Sequence, residues 1–185
     1  MSDISRPKRL KFIGCEILYR EACHLAAASP CRVDVEFLRK GLHDPETADM
    51  AGRIQAAIDA TVDGFEVIVA EGTWSGAGNT ALDFGGRLIT LRSGRGNPAL
   101  CVIDCGSGGR GFNFHSGEGP GAVVEGFTVK NGRTGDGGGG IRCVDSSPTI
   151  VSCTITGCST YEQFVGHPGG GVYCLSSSAV FRDCT

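Results

Sequence analysis

The chain of 185 residues has no apolar run that approaches the length of a membrane-spanning helix, so no membrane span is expected. An excess of charge of one sign is also missing. Its 17 Lys and Arg and 20 Asp and Glu leave a net charge of -3, with both signs interspersed, which excludes the basic footprint of a nucleic-acid binder and an acidic tail alike. A secretory signal is not legible either: the start MSDISRPKRLKFIGCEILYRE opens with basic residues, but Glu16, Arg20 and Glu21 interrupt its apolar run. As written, the product is expected in the cytoplasm with reduced thiols. Ten cysteines are present, yet no CxxC pair occurs among them, and the usual zinc signature is absent. Glycine is scarce in one region only: of 30 in the chain, Gly14, Gly41 and Gly52 alone precede residue 61. Charge divides at the same place, because residues 1–60 carry 18 of the 37 charged side chains and balance at zero.

What the glycine-rich part holds is repetition. Residues 138–154 read GGGIRCVDSSPTIVSCT and residues 169–185, displaced by 31 positions without a gap, read GGGVYCLSSSAVFRDCT. Eight of these 17 positions are identical: the three glycines and the pairs Cys143/Cys174, Ser146/Ser177, Ser147/Ser178, Cys153/Cys184 and Thr154/Thr185. Self-similarity at this period marks a stacked architecture, in which each copy buries its apolar face only against its neighbours. Looser copies place 111–114 above 140–143 and 127–129 above 153–155, so residues 61–185 read as four to five coils.

Short apolar strands are predicted at 66–70, 88–91, 101–105, 111–114, 122–129, 141–144, 149–155, 172–175 and 179–181, separated by glycine, serine and asparagine turns. An antiparallel sandwich would also supply short strands, but it does not account for two gapless copies with matching cysteines. Upstream, residues 10–14 are apolar, 16–28 have helical spacing, and Val33, Val35 and Phe37 alternate with Arg32, Asp34 and Glu36 as a strand with one wet face. Asp44-Pro45-Glu46 is a helix start, and Met50, Ile54, Ala57 and Ile58 give the helix an apolar stripe. The expected organisation is a partial α/β segment over 1–43, then a capping helix and a parallel β-helix over 44–185.

Two resemblances attach to these segments. The phrase KFIGCEILYREACHLAAASPCRVDVEFLRKGLHD resembles the N-terminus of a family of uncharacterised bacterial and archaeal α/β proteins, from about residue 10 to 58. IQAAIDATVDGFEVIVAEGTW, the glycine turns and GGGIRCVDSSPTIVSCTITGC resemble right-handed parallel β-helix proteins of the pectate-lyase-like superfamily, over about 54–185. The second implies a right-handed β-helix solenoid capped by an N-terminal helix. It extends to polysaccharide lyases, glycoside hydrolases, epimerases, adhesins and surface proteins, so it specifies fold more than activity. Both claim the helix near 54–60, which suggests a chimera joined there. Complete relatives are expected outside the cell or on its surface, and the last coil is expected to be unfinished at Thr185, open to self-association.

Residues 106–111 and 135–140 match GxGxxG after a strand, but neither leads into a helix, so both read as turn glycines rather than a dinucleotide cradle. The recurring cysteines read as interior stacks. His115 and His167 lie beside turns, and Asp104, Glu118, Glu125, Asp136, Asp145, Glu162 and Asp183 do not share one repeat position, which argues against a calcium or hydrolytic cluster. No cofactor and no metal ligand set is legible. If Phe112, Phe114, Ile141, Cys143, Val172 and Cys174 point inward, alternation sends Asn113, Arg142 and Tyr173 outward on successive coils. That column suits an extended polysaccharide, and the insertion at 161–168 could wall it. The expected function is a non-catalytic surface or polysaccharide-binding protein, with a polysaccharide lyase or glycoside hydrolase as the alternative.

Overall fold

The computed structural model describes residues 9–15, 32–38, 53–161 and 169–185, the first two segments by their backbone alone. The glycine-rich part is a parallel β-solenoid of about four turns. Its first coil comprises β3 (Glu66–Val69) and β4 (Gly72–Ser75), and its second β5 (Thr90–Ser93), β6 (Cys101–Asp104) and β7 (Phe112–Phe114). The third runs through β8 (Val123–Glu125), β9 (Thr128–Lys130), β10 (Arg133–Thr134) and β11 (Ile141–Val144). The fourth repeats that order as β12 (Thr149–Val151), β13 (Thr154–Thr156), β14 (Ser159–Thr160) and β15 (Val172–Leu175), and β16 (Val180–Arg182) begins another level.

Every strand pairing within these sheets is parallel. The order is β16-β12-β8-β5-β3 on one face, β13-β9-β6-β4 on the second, β15-β11-β7 on the third, and β14 on β10 at the corner before the third. The 31-residue displacement appears directly as register, with Ile141 opposite Val172, Cys143 opposite Cys174 and Thr149 opposite Val180. Two N-terminal strands, β1 (Arg9–Cys15) and β2 (Arg32–Leu38), extend the first face beyond β3, again in parallel. The strand expected around Val33 is therefore present. The expected helix over 16–28, the helix start at Asp44 and the division at residue 43 lie outside the described residues.

Alternation along each strand sends one set of side chains into a common interior. Leu82, Phe84, Ile89, Leu91, Ile103, Phe112, Phe114, Val124, Phe127, Ile141 and Ile150 have no measurable exposure there. Phe84 meets Phe114 edge to face with centroids 5.1 Å apart, so aromatic packing links successive coils. Two of the expected strands are bent rather than straight. The runs at 122–129 and 149–155 each divide at a one-residue corner, at Gly126 (φ 76°) and at Ser152 (φ 49°), after which Phe127 and Cys153 return to the interior. At Gly126 a Cβ would lie 2.5 Å from Ser93 Oγ and 2.9 Å from the Gly96 backbone, which excludes a larger residue.

The first coil is closed from below by helix α1 (Arg53–Asp59), which buries Ile54, Ala57 and Ile58. Its Gln55 also completes a strand edge. The Asp83 amide donates to Gln55 Oε1 at 2.9 Å and Gln55 Nε2 donates to the Asp83 carbonyl at 2.8 Å, so one side-chain amide satisfies both main-chain groups. Gln55→Ala leaves both without these partners. Its melting midpoint is expected to fall by about 3–10 °C, read by circular dichroism, at about 1–3 kcal/mol for the lost pairing.

At the corner between the third face and the first, the polar groups are internal. Glu118 is 1% exposed, and its carboxylate accepts from Gly86 N (2.9 Å), Ser116 N (2.9 Å) and Ser146 Oγ (2.8 Å). Ser146 Oγ accepts in turn from Gly117 N, and Ser177 Oγ donates to the Ser146 carbonyl. The recurring serines of the repeat thus form a hydrogen-bonded ladder that ends on a buried carboxylate.

Candidate functional site

The third face carries the outward column. Parallel pairing sets Phe112 opposite Ile141, Asn113 opposite Arg142 and Phe114 opposite Cys143, and the next level continues with Val172, Tyr173 and Cys174. Phe112, Phe114, Ile141 and Cys143 are fully buried, whereas Asn113, Arg142 and Tyr173 are half-buried. The three candidate residues therefore stand one above another, at the strand spacing of about 4.8 Å.

The column has a further member below Asn113. Leu82 bridges Phe112 in parallel, and the Asn113 amide donates to the Leu82 carbonyl at 2.9 Å, which brings Asp83 level with Asn113. Asp83 was missed because it lies among turn residues. A signal was present in the phrase Leu82-Asp83-Phe84, which has the same buried, outward, buried order as Phe112-Asn113-Phe114. His115 Nε2 lies 3.1 Å from Asp83 Oδ2, so the histidine expected beside a turn forms an ion pair with an acid when protonated. Val144 and Leu175 face each other in the next outward position, and Leu175 is 51% exposed.

Toward the preceding corner the column meets a charged cluster. Arg110 pairs with Asp136 through Nη2 and donates from Nη1 to the Gly137 carbonyl at 3.2 Å. Asp136 Oδ2 lies 3.5 Å from Arg142 Nε, and Arg142 Nη1 reaches Asn113 Oδ1 at 3.4 Å. Arg142 Nε is buried and makes no hydrogen bond, so its contact with Asp136 is an ion pair only. Burial draws the Arg110 guanidinium down from its ordinary value against the opposing pull of Asp136. Tyr173 packs over the turn that bears Asp136: a Cβ on Gly137 would lie 2.9 Å from Tyr173 Cγ, so the bare glycine makes room for the ring.

The remaining sequence candidates separate from this face. Cys101, Cys105, Cys143 and Cys153 are buried thiols. Burial pushes Cys101 and Cys105 up to about 12 and Cys153 up to about 11, which keeps them protonated and poorly suited to nucleophilic or metal chemistry at neutral pH. Cys174 occupies the register position of Cys143 but is exposed, because no described strand lies over β15; the interior stack is closed at Cys143 and open at Cys174. Asp104 is engaged by Lys130, Gly106 N and Asn131. Among the described residues no three His, Cys, Asp or Glu side chains come together as a metal site, and no helix is long and apolar enough to cross a membrane. The glycine stretch 106–111 leads into β7 and that at 135–140 into β11. Within the insertion at 161–168, Tyr161 is described, and residues 162–168, with Glu162 and His167, lie outside the described set.

No family model, no curated protein and no solved structure matches the chain.

Proposed function

We propose that this β-helix repeat protein is a non-catalytic polysaccharide-binding module, of the pectate-lyase-like type that its sequence resembles, and that it holds an extended glycan along Asn113, Arg142 and Tyr173. The observation that carries this reading is the strand register, which aligns an amide, a guanidinium and a phenol ring in one outward column. Amide and guanidinium groups serve sugar hydroxyls as directional donors, and an aromatic ring serves the apolar face of a pyranose by stacking. The β-sheet repeat, about 4.8 Å, is comparable to the length of one sugar ring, so neighbouring residues of the column can address neighbouring units of a chain.

The test is the double variant Arg142→Ala with Tyr173→Ala, measured against immobilised polysaccharides. A loss of affinity of about tenfold or more is expected, equivalent to about 1.4 kcal/mol or more. Unchanged binding by a folded double variant refutes the column.

One observation favours the enzymatic alternative, a polysaccharide lyase or glycoside hydrolase. The His115–Asp83 pair at the foot of the column is a carboxylate-imidazole arrangement of the kind that moves protons. Incubation with polyuronates, with and without calcium, followed by assay for new reducing or unsaturated ends, discriminates the two. Under the binding reading neither product forms.

A further inference from the structure

The two recurring cysteine pairs of the repeat are arranged differently. Cys143 on β11 and Cys174 on β15 stand in direct register on adjacent parallel strands. Cys143 is fully buried and Cys174 is exposed, and the Cys143 thiol has the Cys174 thiol as a hydrogen-bond partner. In the second pair, Thr185 N donates to the Cys153 carbonyl and Ile155 N to the Thr185 carbonyl, which sets Cys184 over Cys153. Those two thiols turn to main-chain oxygens instead, Cys153 to that of Val151 at 3.3 Å and Cys184 to that of Arg182 at 3.2 Å. Of the two rungs, only the first directs one thiol at the other.

Parallel pairing sets in-register Cα atoms about 4.8 Å apart, inside the roughly 4.4–6.8 Å window of a disulfide. The Cβ atoms follow nearly the same translation, which exceeds the roughly 3.5–4.5 Å that the bond prefers, so closure draws one strand in by about half an ångström. β15 can give way, because among the described residues it is paired on one side only. A bond made under such strain is more easily reduced, which suits a reversible link.

We infer that Cys143 and Cys174 form a redox-active dithiol, a modification site that takes a low-molecular-weight disulfide as co-reactant and closes into a reversible bond latching the fourth coil to the third. The exposed Cys174, as thiolate, attacks one sulfur of the oxidant, forming a mixed disulfide and releasing one thiol. Cys143 then gives its proton to solvent and attacks Cys174 Sγ, releasing the second thiol. The two cysteines lose two electrons and two protons, and the oxidant gains them as two thiols. Burial, reinforced by the adjacent Cys174, holds the Cys143 thiol well above its ordinary range, so the second step is the slower one. The site does not depend on the glycan reading, although Tyr173 of the column adjoins Cys174.

The test treats the reduced full chain with oxidised glutathione and follows its intact mass. An adduct of one glutathione on Cys174 is expected first, then a species two hydrogens lighter than the reduced chain, and dithiothreitol should reverse both. Cleavage at Glu162 separates the two cysteines in sequence, so fragments joined through sulfur locate the link by tandem mass spectrometry. The bond spans 31 positions, and the linked chain should melt about 5 °C or more above the reduced one. Cys143→Ser should stop at the glutathione adduct without that gain, and Cys174→Ser should give neither product; Cys174 is exposed, so its variant carries the test if Cys143→Ser unfolds. A link mapped to Cys153 and Cys184 instead, or a wild-type adduct on Cys174 that never resolves, overturns the site. A Cys143–Cys174 bond that leaves the melting midpoint unchanged overturns the latch.

Discussion

Gly132→Ala is expected to abolish or nearly abolish stable folding. A Cβ at this position would lie 1.7 Å from the Gly139 carbonyl oxygen and 2.4 Å from its carbon, well inside any tolerated contact. The obstructing atoms are backbone, so no rotamer change can relieve the overlap. Gly139 is fixed from the other side, because a Cβ there would meet the Gly132 and Ser159 carbonyl oxygens at 2.6 and 2.7 Å. The two segments approach just before β10, at Gly132, and just before β11, at Gly139, and the cost of forcing them apart is placed at about 4 kcal/mol or more. That is a large part of the roughly 5–15 kcal/mol that separates folded from unfolded domains. Gly64→Ala is the control. Gly64 has φ 82° with nothing within 4 Å of its Cβ position, so its cost is limited to the left-handed backbone, about 1–2 kcal/mol. Urea titration of both variants checks the contrast, and a Gly132→Ala midpoint at or above that of Gly64→Ala overturns it.

Glu118→Gln is expected to cost about 2–4 kcal/mol, because the amide replaces one acceptor oxygen with a donor that faces donors. Whichever way it is turned, it opposes either Gly86 N or the pair Ser116 N and Ser146 Oγ. The effect also has a pH signature. Burial pushes the Glu118 carboxyl up, but the hydrogen bonds from Gly86, Ser116 and Ser146 outweigh it and the net displacement is downward. A carboxyl whose folded value is depressed contributes stability in full above its unfolded value, and loses it as pH falls through the folded value. Wild type should therefore be much more stable than Glu118→Gln at neutral pH, with the difference shrinking on acidification below the ordinary glutamate range. Denaturant midpoints measured from pH 7 down to pH 3 test this; a constant difference across the series excludes Glu118 as the source.

The repeat was legible because stacking requires like residues above like. Cys143 and Cys174, and Arg142 and Tyr173, are in direct register as the 31-residue displacement implies. The corners were less legible. At Gly126 and Ser152 the chain turns by a single residue of positive φ, and the following Phe127 and Cys153 keep the apolar run going, so nothing in composition separates the two strands. The strands Gly72–Ser75, Arg133–Thr134 and Ser159–Thr160 escaped notice because they are short and, apart from Trp74, carry no large apolar side chain. In the candidate site, the outward column follows from alternation alone. The link of Arg110 to Asp136 spans 26 residues, and that of Asp83 to Gln55 spans 28; both depend on how much chain each corner consumes, which local pattern does not encode.

A solenoid held together only by contacts between adjacent coils behaves as a one-dimensional array, in which an end can fray without disturbing the middle. The Glu118 ladder changes that expectation. Its carboxylate binds an amide from the level below through Gly86 and a hydroxyl from the level above through Ser146, and Ser146 passes the connection on to Ser177. Loss of the level that bears Gly86 or of the one that bears Ser146 therefore leaves the buried carboxylate short of a donor. The backbone amides of Gly86, Ser116 and Gly117 should exchange with solvent as a single cooperative group, with a common opening free energy, rather than in a gradient from the ends of the array.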